Sequence, residues 1–515
     1  MSSIVPENLT NYIKEHGISL EEAERQLKLF RKGTQPVDLD RAATIGDGIL
    51  KVGKDELDKL NKIFDSGAQK SRVMKFVPAS GAASRMFRDL ESMLNKYDDI
   101  SPETLESDEP ENVFTKTFIE RIRDFAFWED LKVVLQSDGM TSGELIDKGI
   151  YRPLIEYTLR ENGLNYSNKP KALIKFHKYD DGARTSFEEH LAEGLVYAKQ
   201  EGGKVLIHFT ISPEFQNEFD ALLENLREKY EKDGITLDVS FSEQEKSTDT
   251  LAADMNNEPF LDEDGKPVFR PGGHGALLNN LDRLEADLVF IKNIDNIVPE
   301  RLRDETYLYK KAIGGKLIEV RDKVFSHLRK IDAADFSTLD AAAAFAQNEL
   351  NITLSDSFSS KTELGKAEEL KELLNRPIRV CAMVVNEGEP GGGPFWVRQK
   401  DGTITLQIVE TSQIDLENPD QKKIMEQSTH FNPTDLVCCV TNYEGKPFNL
   451  NDFKDPDTSF IANKSKDGRQ LKALELPGLW NGAMAHWINV FMEAPVITFN
   501  PVKTINDLLR EQHQS

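Results

Sequence analysis

Apolar positions near the start of the chain recur at helical intervals. Ser19 is placed to cap a helix in which Ala23, Leu27 and Phe30 share a face, and Asp55 to Phe64 repeats the spacing. Residues 1–70 therefore predict a helical N-terminal extension. The period then shortens. Val73-Met74-Lys75-Phe76-Val77, stopped by Pro78, reads as a buried strand, and helical texture returns over 85–165, broken by the acidic stretch Ser101 to Asn112.

From Lys169 onward, strands (Ala172–Phe176, Val205–Thr210, Thr236–Phe241, Leu288–Ile294) alternate with helices (Pro213–Tyr230, Ala276–Glu285). That alternation predicts βαβ units around a mostly parallel sheet. Residues 300–375 read as helical. Further strands are expected at Arg379–Val385, Thr403–Val409 and Leu436–Val440, then a helix at Leu479–Phe491 and a last strand at Val496–Phe499. Trp480 and Trp487, seven apart on that helix, read as packing, and Gly391-Gly392-Gly393 as a flexible loop. No internal repeat and no Pro- or Ser-rich linker divides the chain. The organisation expected is 1–70 helical extension, 71–440 α/β core with helical insertions at about 86–165 and 300–375, and 441–515 a smaller C-terminal region.

Composition narrows the function. The 515 residues carry 64 Lys and Arg against 88 Asp and Glu, a net charge of −24, which argues against a nucleic-acid polymer or an anionic membrane as partner. Phosphorylated small molecules stay open, because a few local cations suffice for them. Hydrophobic content of 39% suits a folded, soluble chain. The three cysteines, Cys381, Cys438 and Cys439, form no CxxC pair, so neither a disulfide framework nor a zinc site is expected. The polar N-terminus has no apolar signal region and no run reaches the roughly 20 apolar residues of a membrane span, which makes cytoplasmic the expected location.

Four segments carry candidate chemistry. Ala79-Ser80-Gly81-Ala82-Ala83-Ser84-Arg85-Met86 runs from a strand through small residues to a cation opening a helix, a form that can cradle an anion, although taken alone a tight turn packed under a helix is the better reading. It matches neither the P-loop nor the Rossmann fingerprint. Asn168-Lys169-Pro170-Lys171 sets cations before a strand, where a phosphate contact competes with a solvated strand edge. Gly272-Gly273-His274-Gly275 precedes a helix and could lie against a flat ring, or merely cap it. The apolar strand at Leu288 delivers Asp295 to its C-terminal end, where α/β sheets bind ligands and a carboxylate suits Mg²⁺; an Asx turn is the alternative. His177, His190, His208, His430 and His486 show no metal-ligand spacing and read as core or surface.

The order of these segments resembles the uridylyltransferases, the family of UDP-glucose, UDP-N-acetylhexosamine and UDP-sugar pyrophosphorylases. Ala79–Met86 is similar to their Gly-rich loop, Pro170-Lys171-Ala172-Leu173 to Pro-Lys-Ser-Leu, and Phe241-Ser242-Glu243-Gln244 to Phe-x-x-Gln. Pro271–Gly275 resembles their base-binding loop, and Asn293–Asn296 the Val-Asp-Asn metal motif. Val409-Glu410-Thr411-Ser412-Gln413-Ile414 is similar to Val-Glu-Tyr-Ser-Glu-Ile, and Phe431-Asn432-Pro433-Thr434 to a polar sugar-side run. Phe499-Asn500-Pro501-Val502-Lys503-Thr504-Ile505-Asn506-Asp507-Leu508-Leu509 lies closest of all, to Phe-Leu-Pro-Val-Lys-Thr-x-x-Asp-Leu-Leu. The resemblance covers about residues 73–510.

It implies a GT-A-like, Rossmann-like nucleotidyltransferase core with a mixed, mostly parallel sheet. The implied reaction joins a nucleoside triphosphate, UTP by family, to a sugar 1-phosphate and releases pyrophosphate. By resemblance, Arg85, Lys171 and Lys503 handle phosphate, Asp295 holds Mg²⁺, and Ala79–Ala83, Gln244 and Gly272–Gly275 with His274 bind the nucleotide. Glu410 and Asn432 face the sugar. The same reaction on another base, or a nucleotide-sugar-binding protein without catalysis, are the alternatives.

Overall fold

The computed structural model describes residues 4–81, 83–388 and 391–514. The chain divides into two units, each assembled from three separated segments. The first comprises 1–74, 243–291 and 311–495, and the second 75–242, 292–310 and 496–515.

The first unit holds a sheet in which Thr44–Ile45, Gly48–Leu50, Ile488–Glu493, Ile378–Val385, Asp435–Cys439 and Leu288–Lys292 are neighbours in that order. Ile488–Glu493 runs parallel to Ile378–Val385, with Val380 opposite Val490, and Asp435–Cys439 runs antiparallel to the latter. Leu288–Lys292 is buried at every position, as its unbroken apolar run requires. The long helix Arg303–Asp332, of which residues 311–332 lie in this unit, precedes Leu339–Asn348 and Glu363–Leu374, as the helical reading of 300–375 expects.

In the second unit Val73–Pro78, Lys204–Thr210 and Thr236–Ser242 are parallel neighbours. Helices Arg88–Lys96, Pro110–Glu120, Trp128–Ser137, Ser142–Asp147 and Arg152–Leu159 follow the first of these strands and pack on one another. Their core, built on Phe87, Phe118, Phe125 and Phe127, takes in Val502, Ile505, Leu508 and Leu509 from the end of the chain. Each unit is thus α/β with a mostly parallel sheet, as the alternation predicts.

Several local expectations change. Helices do form at Thr10–His16, Leu20–Lys32 and Lys54–Ala68, and Ser19 caps the second by accepting the Glu22 N–H. Between them Leu39–Ala42, Thr44–Ile45 and Gly48–Leu50 are strands too short to show a period. The strand expected at Ala172–Phe176 begins at Lys175, after a 3₁₀ turn at Lys171–Leu173.

The expected helix Leu479–Phe491 is instead a 3₁₀ turn, Gly482–Met484, followed by the buried strand Ile488–Glu493, because Ile-Asn-Val-Phe-Met suits either element by periodicity. The expected strand Val496–Phe499 is a 3₁₀ turn over Val496–Thr498. Gly392 and Gly393 are no flexible loop but open strand Gly392–Arg398, paired with Ile404–Glu410; a Cβ at Gly392 would meet Ile408 at 2.4 Å. All three cysteines are free and buried. Among the described residues no helix is long and apolar enough to cross a membrane.

Candidate functional site

The second unit gathers the residues assigned to phosphate. Val73–Pro78 ends in the small-residue loop, where Ala79 donates its N–H to Thr210 O at 2.9 Å and Ala83 donates to Lys169 O at 3.2 Å. The Ser80 carbonyl accepts the Ser212 hydroxyl at 3.0 Å. None of Ala79, Ser80, Gly81 and Ala83 has positive φ, so the glycine-poor composition imposes no backbone strain. The N–H groups of Ser80 and Gly81 make no bond to protein among the described residues and can serve an anion. Ala82, a candidate nucleotide contact, lies outside the described residues. Arg85 is exposed at the end of the turn Ala83–Arg85.

Lys171 and Asp295, 124 residues apart, meet. Lys171 Nζ donates to Asp295 Oδ2 at 2.8 Å and to the Val502 carbonyl at 2.7 Å. The Asp295 carbonyl accepts the Val502 N–H at 3.0 Å, and the side chain of Asn296 accepts the Asn500 N–H at the same distance. Three motifs distant in sequence therefore converge on one spot. Beside it, Asp507 accepts the N–H groups of Lys503 and Thr504 at 2.8 and 2.6 Å, which fixes the backbone that carries Lys503.

Beneath Asp295 lies a buried charged network that no motif announces. Glu193 is approached by Lys292 Nζ at 3.0 Å, by Lys75 Nζ at 3.5 Å and by the Tyr197 hydroxyl at 2.6 Å. Lys75 also donates to the His190 carbonyl at 3.0 Å, and the His190 ring reaches Ile294 O at 3.2 Å, one residue before Asp295. Burial pulls Lys75 down to about 7 despite Glu193, with Lys292 and Lys310 adding to the fall. Burial acts to raise Glu193, yet Lys292 and Lys75 outweigh it and hold the carboxyl well below its usual range.

Mg²⁺, which the resemblance implies, takes one or two protein carboxylates and completes its shell with phosphate and water. Asp295 offers one carboxylate: Lys171 holds Oδ2, and Oδ1 has no protein partner among the described residues. Among the described residues no group of three or more His, Cys, Asp or Glu side chains converges there. The donor set fits an ion carried largely by substrate phosphates.

The first unit gathers the residues assigned to base and sugar. Gly273 adopts φ +75°, and a Cβ on Gly275 would strike the Pro477 carbonyl at 2.1 Å, so both positions require glycine. His274 Nδ1 accepts the Leu479 N–H at 3.0 Å, which leaves Nε2 to face Glu410 Oε1 at 3.3 Å. Asn481 Nδ2 donates to the same Glu410 oxygen at 3.0 Å. The His274 ring lies flat on Trp480, with centroids 4.0 Å apart and planes 2° apart. Gly478 permits this, since a Cβ there would meet His274 Cε1 at 2.2 Å.

Trp480 is thus on no helix and holds up a candidate site residue. Trp480, Asn481 and Gly478 are the site residues the sequence reading missed; only the Gly-Leu-Trp-Asn-Gly run hinted at a special turn. Asn432 is buried, donates to Ala382 O at 2.8 Å and accepts the Thr434 N–H at 3.0 Å, so its amide is committed to backbone. Gln244 is half-buried just beyond Thr236–Ser242. A cavity of about 380 Å³ is lined by Gly275 and Ala276 together with Glu22, Arg25 and Gln26 of the N-terminal helix.

Fold and residues together define an α/β protein whose loops bear clustered cations and a stacked His–Trp pair. A family model described as a domain of unknown function (DUF4301) matches residues 6–514, and the chain belongs to that family. No curated protein matches it. Among solved structures it is similar to a uridine diphosphate N-acetylglucosamine pyrophosphorylase from Trypanosoma brucei, at 13% identity over 96% of this chain and 76% of that one, TM-score 0.48. It is also similar to a mutant UDP-glucose pyrophosphorylase from Leishmania major in complex with UDP-glucose, at 12% identity over 97% and 77%, TM-score 0.43. A UDP-glucose phosphorylase from Trypanosoma brucei aligns at 13% identity over 98% and 80%, TM-score 0.43.

Proposed function

We propose that the chain is a sugar-1-phosphate nucleotidyltransferase, joining a nucleoside triphosphate, UTP by the motif resemblance, to a sugar 1-phosphate. A phosphate oxygen of the sugar 1-phosphate bonds to the α-phosphorus, the bond from that phosphorus to the bridging oxygen breaks, and pyrophosphate leaves. The observation that carries this reading is the meeting of Lys171, Asp295 and the Val502–Lys503 segment. It brings together three motifs whose order matches the uridylyltransferases.

No protein nucleophile is needed; the residues position phosphates and offset charge. Arg85 and the free N–H groups of Ser80 and Gly81 take the outer phosphates. Lys171, held by Asp295 and Val502 O, points its ammonium at the triphosphate, and Lys503 takes the sugar phosphate or the α-phosphate. Mg²⁺ bound at Asp295 would neutralise phosphate oxygens. In the first unit His274, with its tautomer set by the Leu479 N–H, presents its ring to the base, and Glu410 accepts sugar hydroxyls.

A second reading, nucleotide-sugar binding without catalysis, draws on the Lys171–Asp295 ion pair, in which the two charges satisfy each other. A pyrophosphate-release screen over nucleoside triphosphates and sugar 1-phosphates separates the two. Release with at least one pair supports the enzyme; tight nucleotide-sugar binding with no release supports the second reading.

A further inference from the structure

A cavity of about 220 Å³ lies in the first unit among Thr353, Arg376, Gln399, Thr405, His486 and Asn489. Two of these side chains keep polar atoms without a protein partner among the described residues. Arg376 donates through Nε to the Glu372 carbonyl at 3.0 Å, and its two terminal nitrogens make no hydrogen bond or ion pair among the described residues. The His486 backbone donates to Phe453 O at 3.2 Å, while its ring has no protein partner among the described residues. Both side chains are partly buried.

The two also feel each other. Burial holds His486 below its usual pKa, and the Arg376 charge adds to that fall against the opposing pull of Asp455 and Asp401. Burial lowers Arg376 as well, opposed only by Glu372. Asp401, at the rim, has its Oδ1 engaged by the Thr403 N–H and hydroxyl at 2.9 and 2.6 Å.

A guanidinium whose two terminal nitrogens meet no protein acceptor is a ready fork for an anion, and the His486 ring on the same cavity can donate one hydrogen bond to it. The volume is below the roughly 300 Å³ at which drug-sized pockets begin, so the ligand is small. We propose that this cavity is a binding site for a small phosphate or carboxylate anion, forked by the terminal nitrogens of Arg376 and contacted by His486.

The site does not depend on the catalytic reading, because its residues lie outside the phosphate and base groups. It does share structural elements with the base and sugar group. Asn489 donates to the Leu406 carbonyl at 2.7 Å on the strand that ends at Glu410. It also accepts from Arg379 at 2.5 Å, and Arg379 in turn holds the Trp480 carbonyl at 2.6 Å.

The test is titration calorimetry and thermal melting of the full chain with inorganic phosphate, with malonate as the carboxylate arm. Wild type is expected to bind one of them and to gain melting temperature. Arg376→Met is expected to weaken that binding about tenfold or more, the value of a charged hydrogen-bonded contact. Lys503→Ala is expected to keep it, which separates this site from phosphate bound at the proposed catalytic group. If Arg376→Met does not fold, His486→Gln decides, with a smaller loss expected. Absence of binding by wild type, or affinity unchanged in the variants that fold, overturns the proposal. No turnover is measured, so its failure is distinct from failure of the nucleotidyltransferase reading.

Discussion

The two candidate groups are built on opposite principles. In the second unit the candidate group is charge backed by charge: Lys171 leans on Asp295, and behind Asp295 two buried lysines, Lys75 and Lys292, share Glu193. In the first unit, charge is sparse. His274 is fixed by a ring stack, one backbone N–H and one carboxylate, and the local glycines exist to let these surfaces approach. The difference suits the ligands proposed for each. Phosphates need preorganised cations, which are costly to bury and therefore require a supporting network. A base needs a flat, oriented ring, which packing alone can provide.

The comparison can be broken most forcefully at Glu193. Glu193→Gln leaves Lys75 and Lys292 without their acid, and removing one partner of a buried pair typically destabilises by about 3–5 kcal/mol. Urea unfolding should show that loss, and a change within error would mean that Glu193 does not support the two lysines in the folded chain. At the phosphate group itself, Lys503→Ala should reduce kcat at least about a hundredfold, the value of one preorganised charged contact, with an unchanged melting temperature. Wild-type turnover in that variant removes Lys503 from the site.

The next effect is one of pH. Lys75 sits at about 7 in the folded chain against 10.5 as the ordinary value. Between those values the unfolded chain binds more protons, so stability rises with pH. Equilibrium unfolding followed from pH 7 to pH 9 should show this rise, and Lys75→Met should flatten it; an equal slope in both would deny the burial effect. The smallest effect is expected at the stack. Trp480→Ala should weaken nucleotide-sugar binding by about 0.5–1.5 kcal/mol, and Trp480→Phe should restore most of it. Loss of turnover as severe as in Lys503→Ala would blur the contrast between the two groups.

Legibility followed the same division. Long apolar runs such as Leu288–Lys292 and Lys204–Thr210 were readable because a strand buried on both faces leaves few polar positions. Ile488–Glu493 was read as helix because its five apolar and amide residues fit either period, and only pairing with Ile378–Val385 decides the matter. Short strands such as Thr44–Ile45 carry no period at all.

The residues assigned to phosphate are legible as ordered motifs, and the structure brings Lys171, Asp295 and the Val502–Lys503 segment together. Asn432 carried a motif yet is committed to backbone bonds. Trp480 packs, as its sequence suggests, but on no helix: its spacing to Trp487 mimics a helix face, while its partner, His274, lies 206 residues earlier. The buried network was invisible because Lys75, Glu193 and Lys292 are isolated charges in separate elements, and only the fold joins them.

The central claim is that these residues transfer a nucleotidyl group. Its most direct test is pyrophosphate release by the full chain with Mg²⁺, UTP and a panel of sugar 1-phosphates, followed by identification of the nucleotide sugar formed. The account predicts stoichiometric pyrophosphate and nucleotide sugar with at least one sugar 1-phosphate, both lost in Lys503→Ala. No release with any sugar 1-phosphate, for UTP or for the other nucleoside triphosphates, would contradict it.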